Sequence, residues 1–199
     1  MPRDALIVVA ESTDEGEEDI FLRALGEARA AHDTVGMGLV APRQPDRFDT
    51  AWRIVRASLR CRGGAALGEP RRRASTILLD RMGVLAAHYA IADVEFVGGS
   101  FTDRGGQNLL EPAVCGCPVL YGFNTANWDA AAPPSRRRRR RLPLRDSDDL
   151  SARLVDLLGA PEGRRAAGVA ARNAAAPARD PMGITIATIV ELLRSEARA

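Results

Sequence analysis

Two glycine pairs, an arginine, an amide and a carboxylate lie within one short segment, GGSFTDRGGQNLLEP, at residues 98–112. Glycine pairs allow a backbone to pass close to a ligand, because glycine lacks a side chain. Asn108 is a suitable N-cap for a helix that begins at LLEP, and a helix start favours phosphate. Glu111, in the first turn, can accept hydrogen bonds from a ribose diol. This pattern suits a sugar nucleotide, but its spacing fits equally a tight turn in which Glu111 only complements the helix dipole.

The flanking sequence places this segment in a loop between a strand and a helix. Along the whole chain, strand and helix patterns alternate, which indicates βαβ units and a parallel sheet. Such sheets bind ligands at the carboxyl ends of their strands. The weakly patterned residues 60–73 leave one further strand unplaced. Strands are predicted at 5–10, 35–42, 75–80, 94–99 and 118–122, and helices at 15–32, 47–59, 83–92, 147–159, 161–176 and 181–197.

The composition favours a domain with an aliphatic core, since 46% of the 199 residues are hydrophobic but only 5% are aromatic. No run approaches the roughly 20 apolar residues that a membrane span needs, and the N-terminus lacks the pattern of a signal peptide. The three cysteines and two histidines show no metal-ligand spacing. We therefore expect no metal, no cofactor and reduced thiols in a cytoplasmic chain.

Six consecutive arginines at 136–141 account for the net charge of +2, and the rest of the chain is mildly acidic. The run lies in the low-complexity stretch DAAAPPSRRRRRRLPL and is predicted to be a solvated loop. Salt-sensitive contact with a nucleic acid or an anionic membrane is a second interpretation. A damaged reading frame is the third. We expect no specific nucleic-acid partner.

A family resemblance is carried by three segments that follow one another along the chain. They are ESTDEGEED, APRQPDRF and the stretch from DRMGVLAAHY to AVCGCPVLYG. They resemble the C-terminal half of the 3-deoxy-D-manno-octulosonic acid (Kdo) transferases, from about residue 6 to 127 and more loosely to about 193. These glycosyltransferases of the GT-B fold transfer Kdo from CMP-Kdo to a lipid A precursor in the synthesis of lipopolysaccharide. The resemblance implies a single Rossmann-like parallel sheet flanked by helices, which binds the donor.

The resemblance also implies which residues bind CMP. Arginine suits the site because its guanidinium bonds phosphate or carboxylate in bidentate fashion. The implied CMP-binding residues are Pro42, Arg43, Met82, Gly83, Val84, Asn108, Leu109, Leu110 and Glu111. A further donor loop is implied at Ser12, Gly99, Ser100, Arg104, Gly105 and Gly106.

The chain departs from the family at three positions near this implied site. Val84 stands where the family's MGE segment has glutamate, so one polar contact to the nucleotide is absent. Asp14 and Gln107 stand where the family usually has histidine. Replacing a cation with an acid weakens binding of an anionic donor.

Residues 1–180 are expected to form one CMP-sugar-binding domain with an irregular arginine-rich insertion at about 130–145. The helix within 181–199 is apolar over much of its circumference and is expected to pack on an N-terminal domain. In the family that domain carries the membrane anchor, the acceptor site and the catalytic glutamate. No catalytic residue is therefore assigned here, and the isolated chain is expected to self-associate through an exposed apolar patch.

Two functions remain open. The chain is either the donor-binding half of a Kdo transferase that works at the cytoplasmic face of the inner membrane, or a nucleotide-binding module without catalysis. The second includes a decaying or interaction module of the same fold. An adjacent reading frame that encodes the N-terminal domain would favour the first.

Overall fold

A six-stranded, all-parallel sheet forms the centre of the computed structural model, which describes residues 5–58, 64–66, 76–129 and 143–176. The order across the sheet is β3-β4-β2-β1-β5-β6. The strands are β1 (Leu6–Thr13), β2 (Val35–Pro42), β3 (Gly64–Ala66), β4 (Thr76–Leu78), β5 (Val94–Val97) and β6 (Val119–Tyr121). The helices are α1 (Glu17–Ala31), α2 (Phe48–Ser58), α3 (Leu85–Tyr89), α4 (Leu110–Cys115), α5 (Ala126–Asp129), α6 (Ser147–Gly159) and α7 (Pro161–Ala175).

The predicted fold class, a single parallel α/β sheet flanked by helices, is confirmed. The two ends of the chain and residues 130–142 lie outside the described residues. The arginine run, the C-terminal helix and its predicted self-association therefore stay predictions. A short strand, β3, does lie within the weakly patterned stretch 60–73.

Alternating side chains of β1 build two cores, one on each face of the sheet. Val8 belongs to the larger core, which also contains Phe21 of α1, Phe96 of β5 and Leu150 of α6. Val9 points to the opposite face and packs in a smaller core between β2 and β4. A parallel strand that is buried on both faces needs apolar residues at consecutive positions, and the run LIVVA of β1 provides them.

Two helices meet almost backbone to backbone on one flank of the sheet. Gly116 ends α4 with a φ of 81°, in the left-handed region that favours glycine. Gly168 of α7 packs so closely on this turn that an added Cβ would clash with the Gly116 carbonyl oxygen. Arg172, one turn further along α7, donates a hydrogen bond of 2.7 Å to the Cys115 carbonyl. These contacts fix α4 against α7.

In the part of the chain that the structure describes, none of the helices combines the length and the apolar character required to cross a bilayer.

Candidate functional site

The carboxyl ends of the strands line one edge of the sheet, and most of the predicted site residues lie there. β1 is flanked by β2 on one side and by β5 on the other. The chain therefore leaves β1 in one direction across the sheet and later returns on the opposite side. In open α/β sheets, a crevice for ligands forms at such a switch point.

A small cavity of about 90 Å³ brings together predicted residues from three loops at this edge. One wall comes from the end of β1, one from the end of β2, and one from the loop between β4 and α3. Phe48 and Leu79 close the apolar side. The predicted residues that line the cavity are Ser12, Pro42, Arg43, Met82, Gly83 and Val84.

Arg43 connects this cavity with the second predicted segment. Its backbone N–H donates to the Thr13 carbonyl over 3.0 Å, which fixes the turn after β2. Its exposed side chain donates from Nε to Oε1 of Gln107 over 3.2 Å. The guanidinium therefore lies between the cavity and the start of the Asn108–Glu111 segment.

Asn108 and Glu111 are joined directly. Asn108 Nδ2 donates to Glu111 Oε1 over 2.6 Å, and Asn108 Oδ1 accepts the Leu110 N–H over 3.0 Å. α4 is assigned from Leu110, with Leu109 as the flanking residue, but Asn108 accepts the Leu110 N–H as an N-cap side chain does. Leu109 already has helical dihedral angles, so the asparagine side chain acts at the start of the helical turn, as predicted. α4 is also short, with six residues.

Tyr89, at the end of α3, contacts two carboxylates. Its hydroxyl lies 2.5 Å from Oε2 of Glu11 on β1 and 2.9 Å from Oε2 of Glu111. The pKa of Glu11 is raised to about 8: burial raises it most, the Tyr89 hydrogen bond lowers it in part, and the nearby Glu111 charge raises it. Neither Tyr89 nor Glu11 was predicted as a site residue. The acid that follows the apolar run LIVVA could have indicated Glu11, because a charged residue is unusual at the end of a buried strand.

Glu95 is a second buried acid on this face of the sheet. It lies opposite Val9 in the β1–β5 ladder, and it is fully buried. Neither of its carboxyl oxygens has a hydrogen-bond partner among the described residues. Burial first, then the charges of Glu11 and Glu111, raise its pKa to about 10. Glu95 is therefore protonated at neutral pH.

Glu17, the first residue of α1, binds the loop after β5 through its carboxylate. Gly99, Ser100 and Phe101 donate their backbone N–H groups to it over 2.6, 3.0 and 2.9 Å. Asp14 adds a fourth N–H over 2.8 Å. The N–H groups of the predicted donor loop are thus directed at a carboxylate of the protein itself.

The glycines of this loop serve close packing of the chain on itself. A Cβ on Gly98 would lie 2.5 Å from the Ser12 carbonyl oxygen and 2.6 Å from the Thr13 Cα. Ser100 is buried; its hydroxyl donates to the Val97 carbonyl and accepts the Gly122 N–H. The glycines of this loop were predicted to admit a ligand, and at Gly98 the space is occupied by the backbone of Ser12 and Thr13.

Arg104, Gly105 and Gly106 form the outer part of the loop. Arg104 Nε lies 3.0 Å from Oδ2 of Asp14 in a partly exposed ion pair. Burial opposes ionisation of Asp14, but the Glu15 N–H and Arg104 outweigh it and lower the pKa. Asn127 donates to the carbonyls of Arg104 and Gly106. The acid at position 14 is therefore neutralised within the protein.

The second arginine of the segment PRQPDR has a structural role. Arg47 bonds both oxygens of Glu18 over 2.9 Å, and it also donates to the Thr13 carbonyl over 3.2 Å. Glu18 is fully buried, and Thr13 donates its hydroxyl to it over 2.7 Å. The segment thus contains one arginine that is held inside and one, Arg43, that is exposed.

A larger apolar cavity of about 430 Å³ lies on the flank of the sheet, between α4, β6, α6 and α7. Leu109 and Leu110 line it together with alanines of α7. These two predicted residues therefore do not contribute to the small cavity at the strand ends. Within the described ranges, no group of three or more histidine, cysteine or acidic side chains is arranged to hold a metal ion.

Comparison with known proteins identifies the family. A 3-deoxy-D-manno-octulosonic acid transferase of Bordetella pertussis is 36% identical over 170 residues, which cover 83% of this chain. The crystal structure of the C-terminal CMP-Kdo binding domain of WaaA from Acinetobacter baumannii superimposes with a TM-score of 0.75 and 26% identity. That match covers 86% of this chain and 89% of the other. This chain matches the C-terminal domain of the Kdo transferases.

The match to the Kdo transferases is partial in length. The chain spans 40% of the Bordetella relative and 30% of a Kdo transferase of Haemophilus influenzae, to which it is 34% identical over 127 residues. No protein-family model matches the chain. In this Kdo transferase relative, the two segments predicted to bind CMP lie at the same edge of the sheet, joined by the Arg43–Gln107 hydrogen bond.

Proposed function

We propose that the chain is the donor-binding half of a Kdo transferase and binds CMP-Kdo at the carboxyl edge of its sheet. The main support is the connected series of side chains from Arg43 through Gln107 to Asn108 and Glu111. The likeness to the CMP-Kdo binding domain from Acinetobacter baumannii adds to it.

The proposed site offers each part of CMP a chemically suitable group. Arg43 is exposed and charged, and it presents a guanidinium to the phosphate. Glu111 is exposed too, and its two oxygens can accept hydrogen bonds from the ribose hydroxyls. The small cavity, with Ser12 and the backbone of Met82–Val84, is next to Arg43 and suits the flat base.

In the complete reaction, a separate domain would supply the acceptor, a lipid A precursor, and the base that activates its hydroxyl. We propose that this reaction takes place at the cytoplasmic face of the inner membrane. A positioned base contributes roughly 10²–10⁴-fold to such a transfer. The isolated chain is therefore expected to bind the donor without turning it over.

Isothermal titration calorimetry of the chain with CMP tests this function, with UMP, AMP and GMP as competitors. We expect CMP to bind most tightly and Arg43→Ala to weaken it. Arg53→Ala, at an exposed position on α2, is the matched control. Absence of CMP binding, or equal binding of all four nucleotides, would contradict the proposal.

The alternative, a nucleotide-binding module without catalysis, is favoured by two observations. Val84 has no carboxylate to offer the nucleotide, and the acid at position 14 is paired with Arg104. Adding a Kdo transferase N-terminal domain in trans separates the two functions. Restored transfer of Kdo supports the enzyme half, whereas CMP binding without any restored transfer supports the module.

A further inference from the structure

The Tyr89 hydroxyl has one proton but two carboxylate neighbours. Its hydroxyl lies within hydrogen-bond distance of two carboxylates, Glu11 at 2.5 Å and Glu111 at 2.9 Å. A phenol has a single proton and can donate only one hydrogen bond. The arrangement is therefore satisfied only when one of the two carboxyl groups also carries a proton.

The two carboxyl groups differ in their surroundings, and this decides which of them holds the proton. Glu11 is 1% exposed, and burial in the β1 strand disfavours its charged form. Glu111 is exposed at the start of α4, where water solvates its charge. Glu11 can then donate its proton to the Tyr89 oxygen, which leaves the Tyr89 proton for Glu111.

We propose that Tyr89, anchored on the buried Glu11 carboxyl, is a positioning residue that orients Glu111 for the nucleotide ribose. The inference rests on the proposed function of this edge. Tyr89 holds one oxygen of Glu111, and Asn108 holds the other over 2.6 Å. With both oxygens held, the carboxylate keeps one orientation, and each oxygen retains a free lone pair for a ribose hydroxyl.

Glu11 is surrounded by neutral and acidic groups. Tyr89 faces it from α3, Glu111 from α4 and Glu95 from β5, and the Cys117 thiol before β6 also senses its charge. On β2 the residue opposite Glu11 is Ala41, which is uncharged. His88, also on α3, has its Nδ1 2.7 Å from the Val84 carbonyl oxygen.

None of these facing groups supplies a compensating positive charge. When the pH rises through about 8, the pKa of Glu11, this carboxyl group loses its proton to solvent, and the Tyr89 hydroxyl then donates its hydrogen bond to the Glu11 carboxylate. Glu111 then loses that hydrogen bond and meets a second negative charge. Affinity for CMP is therefore expected to fall over this range of pH.

The test measures CMP affinity by calorimetry from about pH 7 to about pH 9, above the ionisation of the CMP phosphate near pH 6. In the wild-type chain we expect a several-fold loss of affinity across this range. Glu11→Gln keeps a neutral donor next to Tyr89 and should give a flat profile. Tyr89→Phe should weaken binding about tenfold at the lower pH, which corresponds to about 1.4 kcal/mol, and should also abolish the step.

Two controls distinguish positioning from damage to the fold. The melting temperature of each variant shows whether it is folded, and Asp156→Asn, exposed on α6, should keep the wild-type pH profile. If folded Tyr89→Phe or Glu11→Gln binds CMP with the wild-type affinity and pH profile, this proposal is overturned while the proposed function stands. If the wild-type chain binds no CMP at any pH, both are refuted.

Discussion

The Glu17 carboxylate, at the start of α1, accepts a hydrogen bond of 2.6 Å from the backbone N–H of Gly99 in the loop after β5. The same carboxylate also binds the next two N–H groups of the loop after β5. Consecutive N–H groups that converge in this way form a site for an anion. Here the anion is part of the protein, and the loop is shaped before any ligand arrives.

Removing this carboxylate should loosen the loop. We expect Glu17→Ala to lower the free energy of unfolding by about 3 kcal/mol, because several buried N–H groups lose their acceptor. Urea denaturation measures the change. Glu15→Ala, at an exposed position in the same turn, should change stability by less than about 0.5 kcal/mol. Equal effects of the two substitutions would show that the loop is held by other contacts.

The two arginines of PRQPDR should separate stability from binding. Arg47→Ala leaves the fully buried Glu18 carboxylate without its ion-pair partner, and we expect a loss of about 3 kcal/mol in unfolding free energy. Arg43→Ala removes an exposed side chain and should leave stability within about 0.5 kcal/mol while CMP affinity falls. Denaturation and calorimetry on both variants check this. The reverse pattern, a stable Arg47→Ala beside an unstable Arg43→Ala, would contradict the assigned roles.

Glu111 should contribute directly to nucleotide binding. We expect Glu111→Ala to weaken CMP binding by about 1–3 kcal/mol, the range for a lost hydrogen bond to a charged group. Calorimetry measures the difference, with Glu162→Ala, at an exposed position in the first turn of α7, as the control. Unchanged affinity would mean that Glu111 acts only within the protein, through its hydrogen bonds to Tyr89 and Asn108.

The buried Glu95 should make stability depend on pH. Its pKa is about 10 in the folded chain and 4.5 for an ordinary glutamate, so the folded state keeps a proton that the unfolded state releases. The contribution to stability is therefore greatest below about pH 4.5 and falls as the pH rises towards 10. Glu95→Gln should lose less stability than the wild-type chain between about pH 5 and pH 9 in urea denaturation. Parallel profiles would show that Glu95 ionises normally.

Two glycines should respond in opposite directions to alanine. Gly98→Ala forces a Cβ against the Ser12 carbonyl and should destabilise the chain by about 1–3 kcal/mol. Gly26 is exposed in α1 with open space around it, and Gly26→Ala should stabilise the helix by about 0.5–1 kcal/mol. Melting temperatures are sufficient to test the signs. A tolerated Gly98→Ala would imply that the two loops can separate.

Local patterns predicted the framework well, because strands and helices follow from side-chain periodicity. β2 begins and ends where predicted, at Val35 and Pro42, and α6 spans the predicted residues. β1 continues to Thr13, beyond the predicted end at residue 10. The apolar pattern did not indicate this extension, because its last three residues are polar although they alternate between buried and half-buried.

The side-chain partners within the site could not be predicted in this way. Tyr89 and Glu11 are 78 positions apart in the sequence, so nothing local to either residue indicates their hydrogen bond. Glu17 showed only the preference of acids for a helix start, whereas its real partners lie in a loop more than 80 positions away. Such contacts depend on strand order, which periodicity alone does not determine.

The tight packing of Gly168 on the Gly116 turn has a mechanical consequence. No side chain separates the two backbones at this contact, and Arg172 is hydrogen-bonded to the Cys115 carbonyl. The end of α4 and the middle of α7 are therefore expected to move together. At this contact the two backbones cannot shift independently, although the apolar cavity of about 430 Å³ lies beside it between the same helices. A displacement of α7 at Gly168 would therefore also move the C-terminal end of α4, the helix whose first turn contains Glu111.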